Sequence, residues 1–203
     1  MKLYYSPGAC SMVVRMVLNH VGQTYTSVRV DLSAGEQQSS WFLAINPKGK
    51  VPTLVRDDGT ILTELGTILE WIALQHPAEA LIPNDDDQAI RVREIVEYCI
   101  STIHAFATTR IFMPAAFGAE ADRSTIVAEG QLRLGRGLAL LDKRFCDGDY
   151  FVGKLTIADF MIYWIALGAV IAELDLPPAI RRGFESTGRL PAVQQSLVEE
   201  GFA

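Results

Sequence analysis

The chain has little positive charge. Of 203 residues, 18 are Lys or Arg against 24 Asp or Glu, giving a formal net charge of −6. No basic cluster is present that would release counterions from a phosphate backbone, which excludes nucleic acid as an expected partner. Long apolar runs are also missing. The longest uncharged apolar stretch, Phe160 to Ala172, has 13 residues between Asp159 and Glu173. A bilayer-spanning helix needs about 20, so this one reads as a buried helix and no membrane is expected. Met1-Lys2-Leu3-Tyr4-Tyr5 runs straight into a strand pattern without the n-region, h-region and cleavage site of an export signal, and the expected location is the cytoplasm.

Cysteine and histidine are scarce. Cys10, Cys99 and Cys146 are odd in number and widely spaced, which argues against a disulfide framework and against a metal site. Any thiol chemistry uses a single cysteine. What is plentiful is apolar side chain: 49% hydrophobic against 21% charged residues is ample for a packed core.

Residues 1–76 read as mixed α/β. Lys2 to Ser6 and Val28 to Leu32 alternate as strands, and between them Val13, Val14, Val17, Leu18 and Val21 recur at helical spacing until Gly22. A short helix ends at Trp41-Phe42-Leu43. Val51 to Val55 and Thr60 to Leu62 bracket Asp57-Asp58-Gly59 as a hairpin, and Leu65, Ile68, Leu69 and Ile72 mark another helix. The order βαβαββα is that of a thioredoxin-like domain. Residues 77–87, with two prolines and Asp85-Asp86-Asp87, read as a linker. Residues 88–203 read as an all-helical bundle, with stripes such as Ile95, Val96, Cys99, Ile100, Ile103 and Phe106.

Four groups can carry chemistry. Cys10 follows Ser6-Pro7-Gly8 at a strand end and opens a helix, where free N–H groups and the macrodipole lower a thiol pKa; position alone leaves open that it is a small packed side chain. Ser11 beside it is a donor or a plain cap. Val51-Pro52 opens a hairpin strand, as an edge proline or, if cis, with the Val51 main chain turned outward to pair with a bound peptide. Thr63-Glu64-Leu65-Gly66 enters a helix where N–H groups suit a carboxylate and Glu64 suits an amine, or where Thr63 and Glu64 only cap. Glu97, Ser101, His104 and Thr108 form a narrow polar stripe, lining a cleft or holding a structural histidine. Thr156 with Asp159 reads as a capping box.

Taken together, Tyr4-Tyr5-Ser6-Pro7-Gly8-Ala9-Cys10-Ser11, Leu43-Ala44-Ile45-Asn46-Pro47-Lys48-Gly49-Lys50-Val51-Pro52, Thr156-Ile157-Ala158-Asp159 and the ending from Arg189 to Gly201 resemble the bacterial beta-class glutathione transferases over nearly the whole chain. The resemblance implies a homodimeric enzyme that conjugates glutathione, as co-substrate, to small apolar electrophiles. It implies Cys10 beside the glutathione thiol, with Ser11 and His104 sharing the catalysis. It also implies Val51 pairing with the tripeptide main chain across a cis-Pro52, Glu64 and Leu65 at the γ-glutamyl end, and Ser101 with His104 closing over the ligand. Mixed-disulfide chemistry at Cys10 and a non-catalytic binding role are the alternatives. Phe106, Phe112, Phe117 and Trp164 are candidates for the electrophile pocket or for core. Three departures stand out: Leu65 where glycine or serine is usual, Glu97 in place of asparagine, and no lysine in Ser33-Ala34-Gly35-Glu36. Each costs about 1–3 kcal/mol of ligand contact.

Overall fold

The computed structural model describes residues 1–118 and 122–202. The chain divides into two compact units, Met1–Glu79 with Arg189–Ala203, and Ala80–Gly188.

The first unit carries a four-stranded sheet in the order β2-β1-β3-β4. Strand β1 (Lys2–Tyr5) pairs in parallel with β2 (Thr26–Arg29) and antiparallel with β3 (Thr53–Val55), which pairs antiparallel with β4 (Ile61–Thr63). Helices α1 (Ser11–His20), α2 (Ser40–Leu43) and α3 (Leu65–Gln75) complete βαβαββα, the thioredoxin-like arrangement. Alternation along β1 places the two faces. Leu3 and the apolar residues of α1 and α3 are buried, while Tyr4 packs with Val30 and Phe42 in a separate cluster joined by Val28, Ile45 and Val51. Strand β2 lies two residues earlier than its alternation suggests. Asp31 ends it, because its carboxylate takes the Ser33 and Ala34 N–H groups and turns the chain.

Sequence pattern assigns the last helix to the bundle, whereas α9 (Pro191–Glu200) belongs to the first unit. Its Ala192, Val193, Ser196 and Glu200 are buried, and Glu200 is ion-paired to Arg15 of α1. A hydrophobic stripe shows that a helix is covered without saying by which core.

Among its described residues the second unit has helices as its regular elements, joined by turns and loops: α4 (Asp86–Tyr98), a π-helical stretch Cys99–Thr108, α5 (Thr109–Phe112), α6 (Arg123–Asp142), α7 (Ile157–Ile171) and α8 (Pro178–Gly188). The aspartate run expected in the linker begins this unit's first helix. Asp85 accepts the Gln88 N–H at 2.9 Å, and Asp86 and Asp87 occupy the first turn, where the helix dipole favours them. Two glycines of α6 admit the π-helical stretch at close range. A Cβ on Gly130 would stand 2.9 Å from the Ala107 carbonyl oxygen, and one on Gly137 2.9 Å from Ile103 Cγ1.

Helix α7 is the buried apolar helix that the sequence indicates, and its start is pinned by one carboxylate. Asp159 accepts from the Thr156 N–H at 2.7 Å, the Thr156 hydroxyl at 2.8 Å and the Phe151 N–H at 2.7 Å. Burial nevertheless pushes the Asp159 carboxyl up to about 6. Replacing Thr156 by Ala removes the hydroxyl donor and is expected to cost about 1 kcal/mol in urea unfolding; an unchanged midpoint would contradict this reading of the helix start.

Candidate functional site

In the first unit, the turn from Ser6 to Cys10 delivers the candidate thiol. Ser11 is wholly buried and staples that turn, its hydroxyl accepting the Ser6 N–H and donating to the Ser6 carbonyl, both at 3.2 Å. Gly8 has φ +73° and donates its N–H to Glu200 Oε2 at 2.8 Å. A Cβ there would stand 3.0 Å from the Phe202 ring, so glycine is required on both counts.

Cys10 precedes α1 directly, and its Sγ points to the Val51 carbonyl at 3.7 Å. The Val51-Pro52 bond is cis. The thiol does not follow the expectation drawn from its place before a helix. It is 9% exposed, and desolvation pushes its pKa up to about 12, outweighing backbone N–H groups and the Lys50 charge that pull the other way. At neutral pH Cys10 is therefore a protonated donor in this structure.

The loop that brings Val51 to Cys10 is tied by Asn46. Its buried side-chain amide donates to the Lys50 carbonyl and to Thr53 Oγ1, each at 2.8 Å, and its Oδ1 accepts the Lys48 N–H. Gly49 sits at φ +61° with the Gln38 side chain 2.6 Å from where a Cβ would stand. Lys48 is presented outward, and its Nζ meets Glu64 Oε1 at 2.6 Å and Thr63 Oγ1 at 2.8 Å.

Glu64 precedes α3 with φ +69°, a conformation costly for a residue with a side chain and one that concentrates at functional sites. Its side chain is exposed, whereas Leu65 is buried, so Leu65 can offer only main-chain groups at the helix start. Sequence reading missed Lys48 although it stands in the quoted Asn46-to-Pro52 stretch. It also missed Arg15, whose signal is a charge on an otherwise apolar helix face.

That arginine is 2% exposed. Its Nε meets Glu200 Oε1 at 2.9 Å, and its Nη1 meets Glu199 Oε2 at 2.9 Å and Ser27 Oγ at 3.0 Å. Its guanidinium lies 4.2 Å from the Tyr5 ring centroid. Through Glu200 the last helix thus holds both α1 and the Gly8 turn in front of Cys10.

In the second unit, the predicted stripe of Ser101, His104 and Thr108 does not form one even face. Ser101 is exposed with its hydroxyl on the Glu97 carbonyl at 2.8 Å, His104 is half-buried, and Thr108 is buried at 4% exposure. The cause is the π-helical winding. Ser101 and Thr108 each donate a side-chain hydroxyl to the carbonyl four residues back, a bond that loosens the α-helical ladder. The His104 ring stands edge-on to buried Trp164, with centroids 4.9 Å apart. Phe106, Phe112 and Phe117 are 52%, 48% and 38% exposed, which separates them from Trp164 as surface aromatics. Among the described residues no cluster of three or more His, Cys, Asp or Glu is suited to a metal, and no helix is long and apolar enough to cross a membrane.

Residues 8–75, which lie within the first unit, match the family model "Glutathione S-transferase, N-terminal domain". Glutathione S-transferase GstA of Escherichia coli O157:H7 is 32% identical over 207 residues, with 100% of both chains covered. A maleylacetoacetate isomerase of Pseudomonas aeruginosa is 29% identical, covering 97% of this chain and 95% of its own length. A sphingomonad glutathione S-transferase solved in complex with glutathione superposes with a TM-score of 0.85 at 32% identity, covering 100% of both chains. End-to-end likeness at this identity, together with the match of residues 8–75 to the family model, makes the chain a member of the glutathione S-transferase family.

Proposed function

We propose that this chain is a beta-class glutathione transferase that joins the glutathione thiolate to small apolar electrophiles, working as a cytoplasmic homodimer. The observation that carries the reading is the meeting of Cys10 Sγ with the Val51 carbonyl just ahead of β3, an inner strand of the sheet and not the edge strand that the sequence pattern allows. Val51 offers main-chain groups to the cysteinyl part of the tripeptide next to cis-Pro52, and Cys10 offers its S–H to the sulfur. Glu64 takes the γ-glutamyl ammonium, displacing or sharing Lys48, while the N–H groups at the start of α3, Leu65 included, take the γ-glutamyl carboxylate. We assign Ser11 the task of holding the turn, since its hydroxyl is already spent on Ser6.

Chemically, the glutathione thiol gives up its proton, and the Cys10 S–H with the N-terminus of α1 stabilises the thiolate. We assign the proton-accepting nitrogen to His104 and a further ligand contact to Ser101. The thiolate attacks the electrophilic carbon and the leaving group departs with the bonding pair. The exposed phenylalanines 106, 112 and 117 suit an apolar co-substrate.

A second reading is favoured by the name of the Pseudomonas relative. In a glutathione-dependent isomerase the thiolate adds to a carbon–carbon double bond, the resulting single bond rotates, and expulsion of the thiolate restores the double bond in the other geometry. Product analysis separates the two, because isomerisation returns glutathione unchanged and conjugation consumes it.

Replacing Glu64 by Gln is expected to raise KM for glutathione about tenfold with kcat within twofold, as loss of one charge-assisted contact made equally in ground and transition states. An unchanged KM would sink the assignment of the γ-glutamyl end.

A further inference from the structure

We infer that Thr108 is a positioning residue that fixes the tautomer and orientation of the His104 imidazole; the catalytic part of this inference rests on the role proposed above for His104. The His104 carbonyl collects three donors: the Thr109 N–H, the Thr109 hydroxyl at 2.8 Å and the Thr108 hydroxyl at 3.0 Å. In an α-helix that carbonyl would accept the N–H of residue 108. Here the Thr108 hydroxyl takes that direction and the N–H of residue 109 closes the wider turn, so the π-helical winding and the hydroxyl contact are one feature.

Thr108 has one hydroxyl proton, and we place it on this carbonyl, which lies 3.0 Å away. Its oxygen also lies 2.9 Å from His104 Nδ1. With its proton spent, that oxygen can only accept, so Nδ1 carries a hydrogen and donates to it. With that placement the neutral imidazole is the Nδ1–H tautomer and carries no hydrogen on Nε2. Ring orientation is fixed from a second side by the edge-on indole of Trp164. Burial of Thr108 protects the arrangement from competition by water, and Gly130 of α6 lets the backbone at Ala107 approach closely enough to bury it. Serine at 108 keeps the hydroxyl; valine keeps the shape and loses both bonds.

The test combines nitrogen-15 NMR of the histidine side chains with steady-state kinetics on the full chain, for wild type, Thr108→Ser, Thr108→Val and His104→Ala. The expected result is a His104 signal of the Nδ1–H tautomer in wild type and Thr108→Ser. In Thr108→Val the signal should move toward the other tautomer, with kcat lower by about five- to tenfold and KM for glutathione within twofold. A Thr108→Val variant that keeps the wild-type signal would overturn the inference, whatever its kcat. If the signal moves as expected while His104→Ala retains full kcat, tautomer control by Thr108 is supported and the catalytic role of His104 is the part that fails.

Discussion

Replacing Cys10 by Ala is expected to lower kcat/KM for conjugation roughly 10- to 100-fold, whereas Cys10→Ser should stay within about threefold of wild type. The ground for this is the protonation state of the sulfur. With burial holding its pKa at about 12, the thiolate at neutral pH is present in only about one molecule in 100,000. A group so rarely charged is a poor nucleophile but a hydrogen-bond donor, and the one S–H that points to the Val51 carbonyl at 3.7 Å would have to turn from it to the glutathione sulfur. Serine supplies an equivalent donor and alanine none. The difference is one hydrogen bond to a charged sulfur, about 1.5–3 kcal/mol. The same state bears on mixed-disulfide chemistry. Oxidised glutathione should leave the wild type unmodified near pH 7 by intact mass, with modification rising about tenfold per pH unit. A stoichiometric adduct at neutral pH that disappears in Cys10→Ala would reverse this ranking and make the redox reading the better one.

The largest stability loss is expected at Glu200. Its side chain is fully buried, and it joins the Arg15 Nε to the Gly8 N–H. Replacing Glu200 by Ala strands a guanidinium that is 2% exposed and already has one buried nitrogen, Nη2, without a partner. Glu199 remains on Nη1, which holds the cost to about 3 kcal/mol, at the low end for a broken buried pair. Removing both charges, as Arg15→Met with Glu200→Leu, should recover part of that loss, since most of it is the penalty of an unmatched buried charge. Urea unfolding of the wild type and the two variants checks this. A Glu200→Ala variant within 1 kcal/mol of wild type would show that the pair holds nothing together.

Periodicity carried the architecture because burial of apolar residues is what periodicity records. The α1 stripe of Val13, Val14, Val17 and Leu18 and the Asp-Gly hairpin are present as expected. Arg15 escaped because a stripe counts apolar positions, and its buried partner, Glu200, lies 185 residues away in sequence. Cys10 was located correctly before a helix, yet its charge state followed from burial, which no local pattern reports. The Ser101, His104 and Thr108 stripe assumed α-helical winding, whereas the chain is π-helical there and the Ser101 and Thr108 hydroxyls are turned onto backbone carbonyls four residues back. The positive φ of Glu64 and the presentation of Lys48 beside it depend on the hairpin's three-dimensional course.

The central claim is that Cys10 acts as a protonated donor to the sulfur of bound glutathione. Its most direct test is the ultraviolet thiolate absorbance of glutathione added to the protein, followed against pH in wild type and Cys10→Ala. The claim predicts a thiolate band at neutral pH in wild type, with its apparent pKa raised by about one to two units in the alanine variant. A band absent from the wild type, or titrating identically in both proteins, would contradict it.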